Sequence, residues 1–292
     1  MIPNILSIAG SDPSGGAGIQ ADLKAISAAG GYGMSVITAL TAQNTCGVTA
    51  VHVPDTDFLT AQLEAISDDI QIGAIKIGML ATTEVITTVK EWFDRNPQLN
   101  QVPVVLDPVM IATSGARLLD DSAMEALQGL LPYARVITPN IPELEVISNV
   151  QDDNGIQRDQ DNQGSSEHSI TSLDDAVELA QRWQHQVADS GSLRHGSAPA
   201  VLVKGGHLSG SQADNVLVRP DGSTLWIPCE RINTTNTHGT GCSLSSALAT
   251  KLAVGDLDHA ASWATTWLRG AIAASDQLQV GRGHGPVHHF YR

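Results

Sequence analysis

Residues 4–40 read NILSIAGSDPSGGAGIQADLKAISAAGGYGMSVITAL, and this stretch decides the fold class. Ile5–Ala9 is a short apolar run suited to a buried strand. A glycine-rich loop follows, Ala9–Gly18. Gly18–Ala29 then carries Ile19, Leu23 and Ile26 at helical spacing, and Ser35–Leu40 is a second short apolar run. Strand, helix and strand in this order predict a βαβ unit in a mostly parallel sheet.

The same alternation continues outward. Ala74–Gly78, Val102–Asp107, Arg135–Thr138 and Ala200–Lys204 read as further buried strands. Asp57–Asp68, Thr83–Asp94 and Ser122–Leu131 read as helices, the last opened by a Ser122/Glu125 capping box. Asn215–Arg219 and Thr224–Pro228 flank Pro220-Asp221-Gly222-Ser223, which predicts a β-hairpin. Two long helices are expected at Gly239–Ala253 and Leu257–Gln277, with Gly255 as the C-cap between them. Gln151–Ser169 is nearly free of apolar residues and reads as a flexible insertion; Asp189–Ser197 is a shorter polar loop. Strands resume in the same style after both, so residues 1–292 are expected to form one domain.

Composition narrows the function. The chain has 292 residues, 42% apolar and 16% charged, which argues against global disorder. Sixteen basic residues face 31 acidic ones, a net charge of −15, so a surface for nucleic acid or anionic membrane is not expected. A small anionic ligand held by local amides and a metal ion remains compatible. The three cysteines, Cys46, Cys229 and Cys242, form no Cys-x-x-Cys clip and suit a reducing, cytoplasmic setting. No stretch approaches the ~18 apolar residues that span a bilayer.

Five constellations carry chemistry. Gly239-Thr240-Gly241-Cys242 opens a helix, where free amides and the helix dipole can make an anion hole; a plain glycine turn is the alternative. Cys242 falls in the first helical turn, which predicts a lowered thiol pKa and a role as base or nucleophile, against the alternative of a small buried apolar residue. Asn140-Ile141-Pro142-Glu143 follows a strand, placing an amide and a carboxylate at the sheet edge where α/β folds bind ligands. Glu143 suits Mg2+ there, and Asn140 with Glu143 also suits a helix-capping box. Asp107 closes another strand and adds a second carboxylate to that edge, unless it is only a turn residue. Lys204, beside Gly205 and Gly206, reads equally as a phosphate-reaching point charge or as a surface lysine. The loop Ala9–Gly18 lacks the Lys-Ser/Thr of a Walker A motif and is not a clean dinucleotide fingerprint, but it admits close approach of backbone to a ligand. Asp22 lies one turn into the helix that follows. The histidines, including the adjacent His288 and His289, show no zinc spacing.

Taken together, the motifs resemble the ribokinase-like small-molecule kinases, and most closely the hydroxymethylpyrimidine/phosphomethylpyrimidine kinases. The resemblance runs through AGSDPSGGAGIQADLK (9–24), VITALTAQNTCGV (36–48), KIGML (76–80), LDPVM (106–110), ITPNIPE (137–143), VKGGH (203–207), NTHGTGC (236–242) and GPVHHF (285–290). It implies a three-layer α/β/α sandwich around a central, mostly parallel sheet. It implies transfer of the γ-phosphate of ATP, with Mg2+, to a hydroxymethyl group, and a second reaction that turns the monophosphate into the diphosphate. Gly239, Thr240, Gly241 and Cys242 would form the anion hole. Cys242 would stand where most ribokinase relatives carry an Asp. Asn140 and Glu143 would lie near Mg2+ and triphosphate, Asp107 near the same metal, and Lys204 near the ATP phosphates. Gly10, Asp22, Gln43, Met79, Val109 and Cys242 would form the pyrimidine pocket, with Asp22 and Gln43 on the edge of the aminopyrimidine. A homodimer is expected by family analogy. The 151–169 insertion is longer and more polar than the family pattern and is read as decoration, so its deletion should leave turnover unchanged.

Three rivals stand beside this reading. A pyridoxal kinase shares the fold and the chemistry. A non-catalytic pyrimidine-binding protein would have no need of a metal–triphosphate site. A dinucleotide enzyme needs a glycine fingerprint that the first loop lacks.

Overall fold

The computed structural model of the chain describes residues 1–110, 121–149, 170–189 and 193–291. The Gln151–Ser169 segment and the Ser122 side chain of the expected capping box lie outside the described residues. Among the described residues nine strands are seen: β1 (Asn4–Ser11), β2 (Tyr32–Asn44), β3 (Gly47–His52), β4 (Ala74–Ile77), β5 (Val104–Leu106), β6 (Val136–Ile137), β7 (Ala200–Lys204), β8 (Asn215–Val218) and β9 (Thr224–Ile227). The helices are α1 (Gly18–Ala28), α2 (Thr56–Ser67), α3 (Thr83–Arg95), α4 (Asp121–Leu130), α5 (Ile141–Asn149), α6 (Leu173–Asp189), α7 (Thr240–Leu252) and α8 (Leu257–Ala273).

The strands join into one sheet in the order β3-β2-β1-β4-β5-β6-β7-β8-β9. From β2 to β7 the neighbours are parallel, while β3, β8 and β9 are antiparallel additions at the two ends. Period-two alternation explains why the parallel strands read as unbroken apolar runs: both faces are covered. Leu6, Ile8, Ile75 and Ile77 pack with Leu59 and Leu63 of α2, Trp92 and Phe93 of α3, and Trp183 of α6. Ile5, Ala74, Val105 and Val136 turn the other way, onto Ile26 of α1, Leu248 of α7 and Ala264 of α8. The result is a three-layer α/β/α sandwich.

The chain leaves β1 through α1 to β2 on one side and later returns to β4 on the other. A crevice opens at such a reversal, beyond the carboxyl ends of the strands. Everything of chemical interest gathers along that edge.

Three local expectations change. β3 was not anticipated, because it lies on a largely exposed edge and has no buried alternation to read. α6 was not anticipated either; its long polar face masks Leu173, Ala176, Ala180, Trp183 and Val187, which are buried. Gly255 is not a C-cap. α7 ends at Ala253, in right-handed helical conformation, and Gly255 is not among the glycines with positive φ. Instead Asp256 closes the turn by capping α8, its carboxylate accepting from the His259 amide at 2.8 Å.

Candidate active site

Three strand ends build an ionic cluster. Asp107 follows β5, and its amide still bonds to the Ile77 carbonyl, which extends the ladder past the strand. Its Oδ1 accepts from Lys204 Nζ at 2.8 Å and from the Thr138 hydroxyl at 2.9 Å. Lys204, the last residue of β7, also lies 3.5 Å from Glu143 Oε2. Glu143 is fixed by a reciprocal capping box: its Oε2 accepts from the Asn140 amide and its own amide bonds Asn140 Oδ1, both at 2.8 Å. The capping and sheet-edge readings of Asn-x-x-Glu therefore hold together.

Charge in this cluster is finely divided. Burial opposes the charge on Lys204, but Asp107 and Glu143 outweigh it and hold the ammonium well above the ordinary lysine pKa. Burial likewise opposes ionisation of Asp107, and Lys204 and Lys76 overcome it, so this carboxyl lies below its usual range. For Glu143 burial wins: with Asp107 adding to it and Lys204 opposing, its pKa is raised. Glu143 Oε1 accepts no hydrogen bond among the described residues. No group of three or more His, Cys, Asp or Glu forms a cage among the described residues. A hard divalent ion that keeps its water and phosphate ligands needs only one or two carboxylates. Asp107 and Glu143 fit such an ion, Glu143 being the carboxylate short of positive charge.

The amino end of α7 meets this cluster. Gly239 caps the helix at φ 78°, and a Cβ there would lie 1.8 Å from the Gly16 carbonyl oxygen, so no other residue fits. A Cβ at Gly241 would lie 3.2 Å from Asp107 Oδ2 and 3.5 Å from Lys204 Nζ. The amino end of α7, whose first amides lack intrahelical partners, thus sits beside the partly buried Lys204 ammonium.

A cavity of about 640 Å3 runs along the edge. Gly10, Gln43, Met79, Val109, Asp107, Asn140, Glu143, Lys204 and Gly239 to Cys242 all line it. Met79 Sδ would be 3.0 Å from a Cβ at Gly10, so the small residue leaves room for the methionine at the cavity wall.

Two expectations fail. Asp22 does not line the cavity. Its carboxylate is fully buried and takes four hydrogen bonds, two from Lys76 Nζ at 2.8 and 2.9 Å and one each from the Ser7 and Ser246 hydroxyls at 2.6 and 2.8 Å. No acceptor capacity is left for a substrate amino group. The Cys242 thiol is not acidified by its helix. Burial, with Asp22 and Asp107 adding to it and Lys76 opposing, pushes it up to about 11. Desolvation of a thiolate outweighs the dipole here.

Lys76, His238 and Asp12 were missed. Lys76 sits mid-strand in β4 and lines the cavity floor. A charge inside an apolar strand was the available signal, since such a residue must have a buried partner. His238 Nε2 lies 2.8 Å from Asp12 Oδ2 and ties the first loop to the α7 entry. Asp12 is also bonded by Ser14 and by the Ala17 amide. Burial opposes its charge, but His238 and these bonds prevail and lower its pKa to about 2.

Amides and an ammonium on one edge can offset the charge of a phosphoryl group, with two carboxylates beside them suited to a divalent cation, and an α/β sandwich built this way falls in the ribokinase-like class. The chain belongs to the phosphomethylpyrimidine kinase family, whose model matches residues 12–173 and 170–288. It is 43% identical over 295 residues to the hydroxymethylpyrimidine/phosphomethylpyrimidine kinase of Salmonella typhimurium, covering 99% of this chain and 97% of that one. It is 50% identical to a thiamine biosynthesis multifunctional protein of Corynebacterium efficiens, over 99% of this chain. The chain spans about a third of the length of the corynebacterial relatives, 35% and 34%. Among solved structures, phosphomethylpyrimidine kinase from Clostridium difficile 630 superposes with a TM-score of 0.71 at 38% identity, covering 92% of this chain and 99% of that one. An ADP complex of Bacillus subtilis pyridoxal kinase gives 0.78 at 31% identity, covering 99% and 98%. No helix among the described residues is long and apolar enough to cross a membrane.

Proposed function

We propose that the chain transfers the γ-phosphate of ATP to the hydroxymethyl group of 4-amino-5-hydroxymethyl-2-methylpyrimidine, and then phosphorylates the monophosphate to the diphosphate, in thiamine biosynthesis. The observation that carries this reading is the contact between the amino end of α7 and the Asp107–Lys204–Glu143 cluster inside one cavity. The names of the relatives above support the substrate.

In this reading the bond from the γ-phosphorus to the β–γ bridging oxygen breaks as a bond to the acceptor oxygen forms, and the acceptor hydroxyl gives up its proton. Catalysis comes from positioning and charge neutralisation, as the loose transition state of phosphoryl transfer requires. The amides of Gly239, Gly241 and Cys242 would face the phosphoryl oxygens, that of Thr240 being given to the Thr237 carbonyl, and Lys204 would add a point charge. Asn140 fixes Glu143. Asp107 and Glu143 would hold Mg2+, which when bound neutralises charge on the phosphate oxygens. Gln43 meets the edge of the pyrimidine, while Met79 and Val109 cover its faces with Gly10 leaving room. Cys242, protonated at neutral pH, donates to the acceptor oxygen and holds it in line, while the acceptor's proton passes to an oxygen of the transferred phosphoryl group. The same proposal treats residues 1–292 as one domain, and it places the protein in the cytoplasm, where its free cysteines stay reduced.

The test is incubation with Mg-ATP and hydroxymethylpyrimidine, with pyridoxal in parallel, products being followed by mass spectrometry. Monophosphate followed by diphosphate from the pyrimidine is the expected result. Phosphorylation of pyridoxal alone would overturn the substrate, and no turnover of either would overturn the kinase.

A further inference from the structure

We propose that Arg231 is a positioning residue for the phosphate donor: its guanidinium forms the core of the 205–212 loop, which walls the nucleotide half of the cavity. The proposal rests on the kinase reading above. Arg231 Nε donates to the Gly210 carbonyl at 2.8 Å and Nη1 to Gly206 at 3.0 Å. Nη2 donates to Leu208 at 2.5 Å and to Gln212 at 3.0 Å. Four of the five guanidinium hydrogens are thus committed to main-chain carbonyls of one loop. The Arg231 amide adds a fifth tie, to the Ser211 carbonyl at 2.9 Å.

Besides this fork the loop is tied at its ends, by the Gly205 amide to the Asp214 carbonyl at 3.1 Å and by the Gln212–Glu230 bridge, and within its first turn by the Leu208 amide to the Gly205 carbonyl at 3.0 Å. Gly206, His207, Ser209, Gly210, Ser211 and Gln212 are exposed, and only Leu208 packs against the core. A segment of exposed glycines and small polar residues has high conformational entropy when untethered. A planar fork with fixed donor directions is suited to gather several carbonyls at once, which a lysine point charge is not.

Sheet order tells which ligand this loop serves. The acceptor pocket lies at the β2-β1-β4 end, and the Asp107–Lys204 pair lies between it and β8. Gly206, His207, Asn215 and Arg231 line the cavity at the β7–β8 end, with Leu268 of α8. In-line transfer places donor and acceptor on opposite sides of the moving phosphoryl group. The β7–β8 end therefore takes the nucleotide, and the loop begins at Lys204 itself. Since four of its five hydrogens are spent on carbonyls of the loop, Arg231 acts chiefly through the loop.

The experiment compares wild type, Arg231→Gln and Arg231→Lys by steady-state kinetics and by hydrogen–deuterium exchange. Arg231→Gln should raise KM for ATP about tenfold or more, the factor that one charged hydrogen bond's worth of ordering supplies. KM for the pyrimidine and kcat should stay within roughly threefold, and faster exchange should be confined to residues 205–212. Arg231→Lys, which keeps the charge and is the fallback should the glutamine variant fail to fold, should fall between. Parallel rises in both KM values, or unchanged loop exchange, would overturn the proposal. A fall in kcat with loop exchange unchanged would overturn it in favour of direct phosphate contact. Absence of wild-type turnover would sink the kinase reading instead, and exchange of the 205–212 amides in the variants would still decide whether Arg231 holds the loop.

Discussion

Asp22 and Lys76 form an ion pair at 2.8 Å in which both side chains are 0% exposed. The pair joins α1 to β4 beneath the cavity, and Ser7 and Ser246 complete it from β1 and α7. Removing one partner leaves an uncompensated buried charge, which costs about 3–5 kcal/mol. Lys76→Met should therefore lose about that much stability in urea unfolding. Adding Asp22→Asn to it should recover much of the loss. A double variant no more stable than Lys76→Met would show that the charge is not what matters. Because Asp22 does not line the cavity, Asp22→Asn alone should alter KM for the pyrimidine much less than Gln43→Ala does.

Gly239 and Gly241 stand two residues apart and should fail differently. Gly239→Ala drives a Cβ into the Gly16 carbonyl and keeps a strained positive φ, so the expected loss is in thermal stability, with expression falling alongside. Gly241→Ala meets only the Asp107 and Lys204 side chains, at 3.2 and 3.5 Å. It should fold with nearly unchanged Tm and lose turnover by about 10²-fold, the scale of a misplaced anion-hole donor. Equal losses of stability in the two variants would contradict this separation.

The parallel strands were legible because burial on both faces leaves an unbroken apolar run, and Ala200–Lys204 is found with the bounds read from its residues. β3 was illegible for the opposite reason, being exposed at an edge. Most of the candidate site was legible for a topological reason: Asp107 and Asn140 follow strands and Lys204 ends one, so a parallel sheet must bring them to one edge. The errors at Asp22 and Cys242 share a cause. Asp22 is taken by Lys76, 54 residues away, and no local pattern tells which carboxylate a buried lysine will take; Cys242 is raised by burial against the pull of that same lysine. Helix position suggested an acidic thiol, but desolvation depends on what the whole fold stacks above it.

His289 and Asp12 contribute to the acid sensitivity of the fold in separate pH windows. His289 is buried against Ser243, and burial, with Lys24 and His288 adding to it, depresses its pKa from 6.5 to about 4. The unfolded chain binds that proton more readily, so this contribution is present above pH 6.5 and is lost as pH falls toward 4. Asp12, lowered from 3.8 to about 2, adds a second loss between those values. The first should amount to on the order of 3 kcal/mol and the second to about 2 kcal/mol at most. His289→Gln should flatten the stability curve between pH 6.5 and 4, and Asp12→Asn should flatten it only below pH 4. A His289→Gln curve parallel to wild type across the upper window would remove His289 from this account.

The raised Cys242 thiol separates two roles that a single alanine variant confuses. With a pKa near 11, alkylation of Cys242 in the free protein should climb about tenfold per pH unit from 7 to 10 without a plateau. An anion-hole thiolate already formed at neutral pH would instead plateau below pH 8. Cys242→Ala should lower turnover by about 10²–10⁴-fold. Cys242→Ser discriminates further: a hydroxyl can still hold the acceptor oxygen by a hydrogen bond but is a far poorer base than a thiolate. If Cys242 acts mainly by holding the acceptor, serine should restore at least tenfold over alanine. Serine no better than alanine, together with a plateau in the alkylation profile of the free protein, would make Cys242 a resting base whose thiolate the site stabilises before any substrate binds.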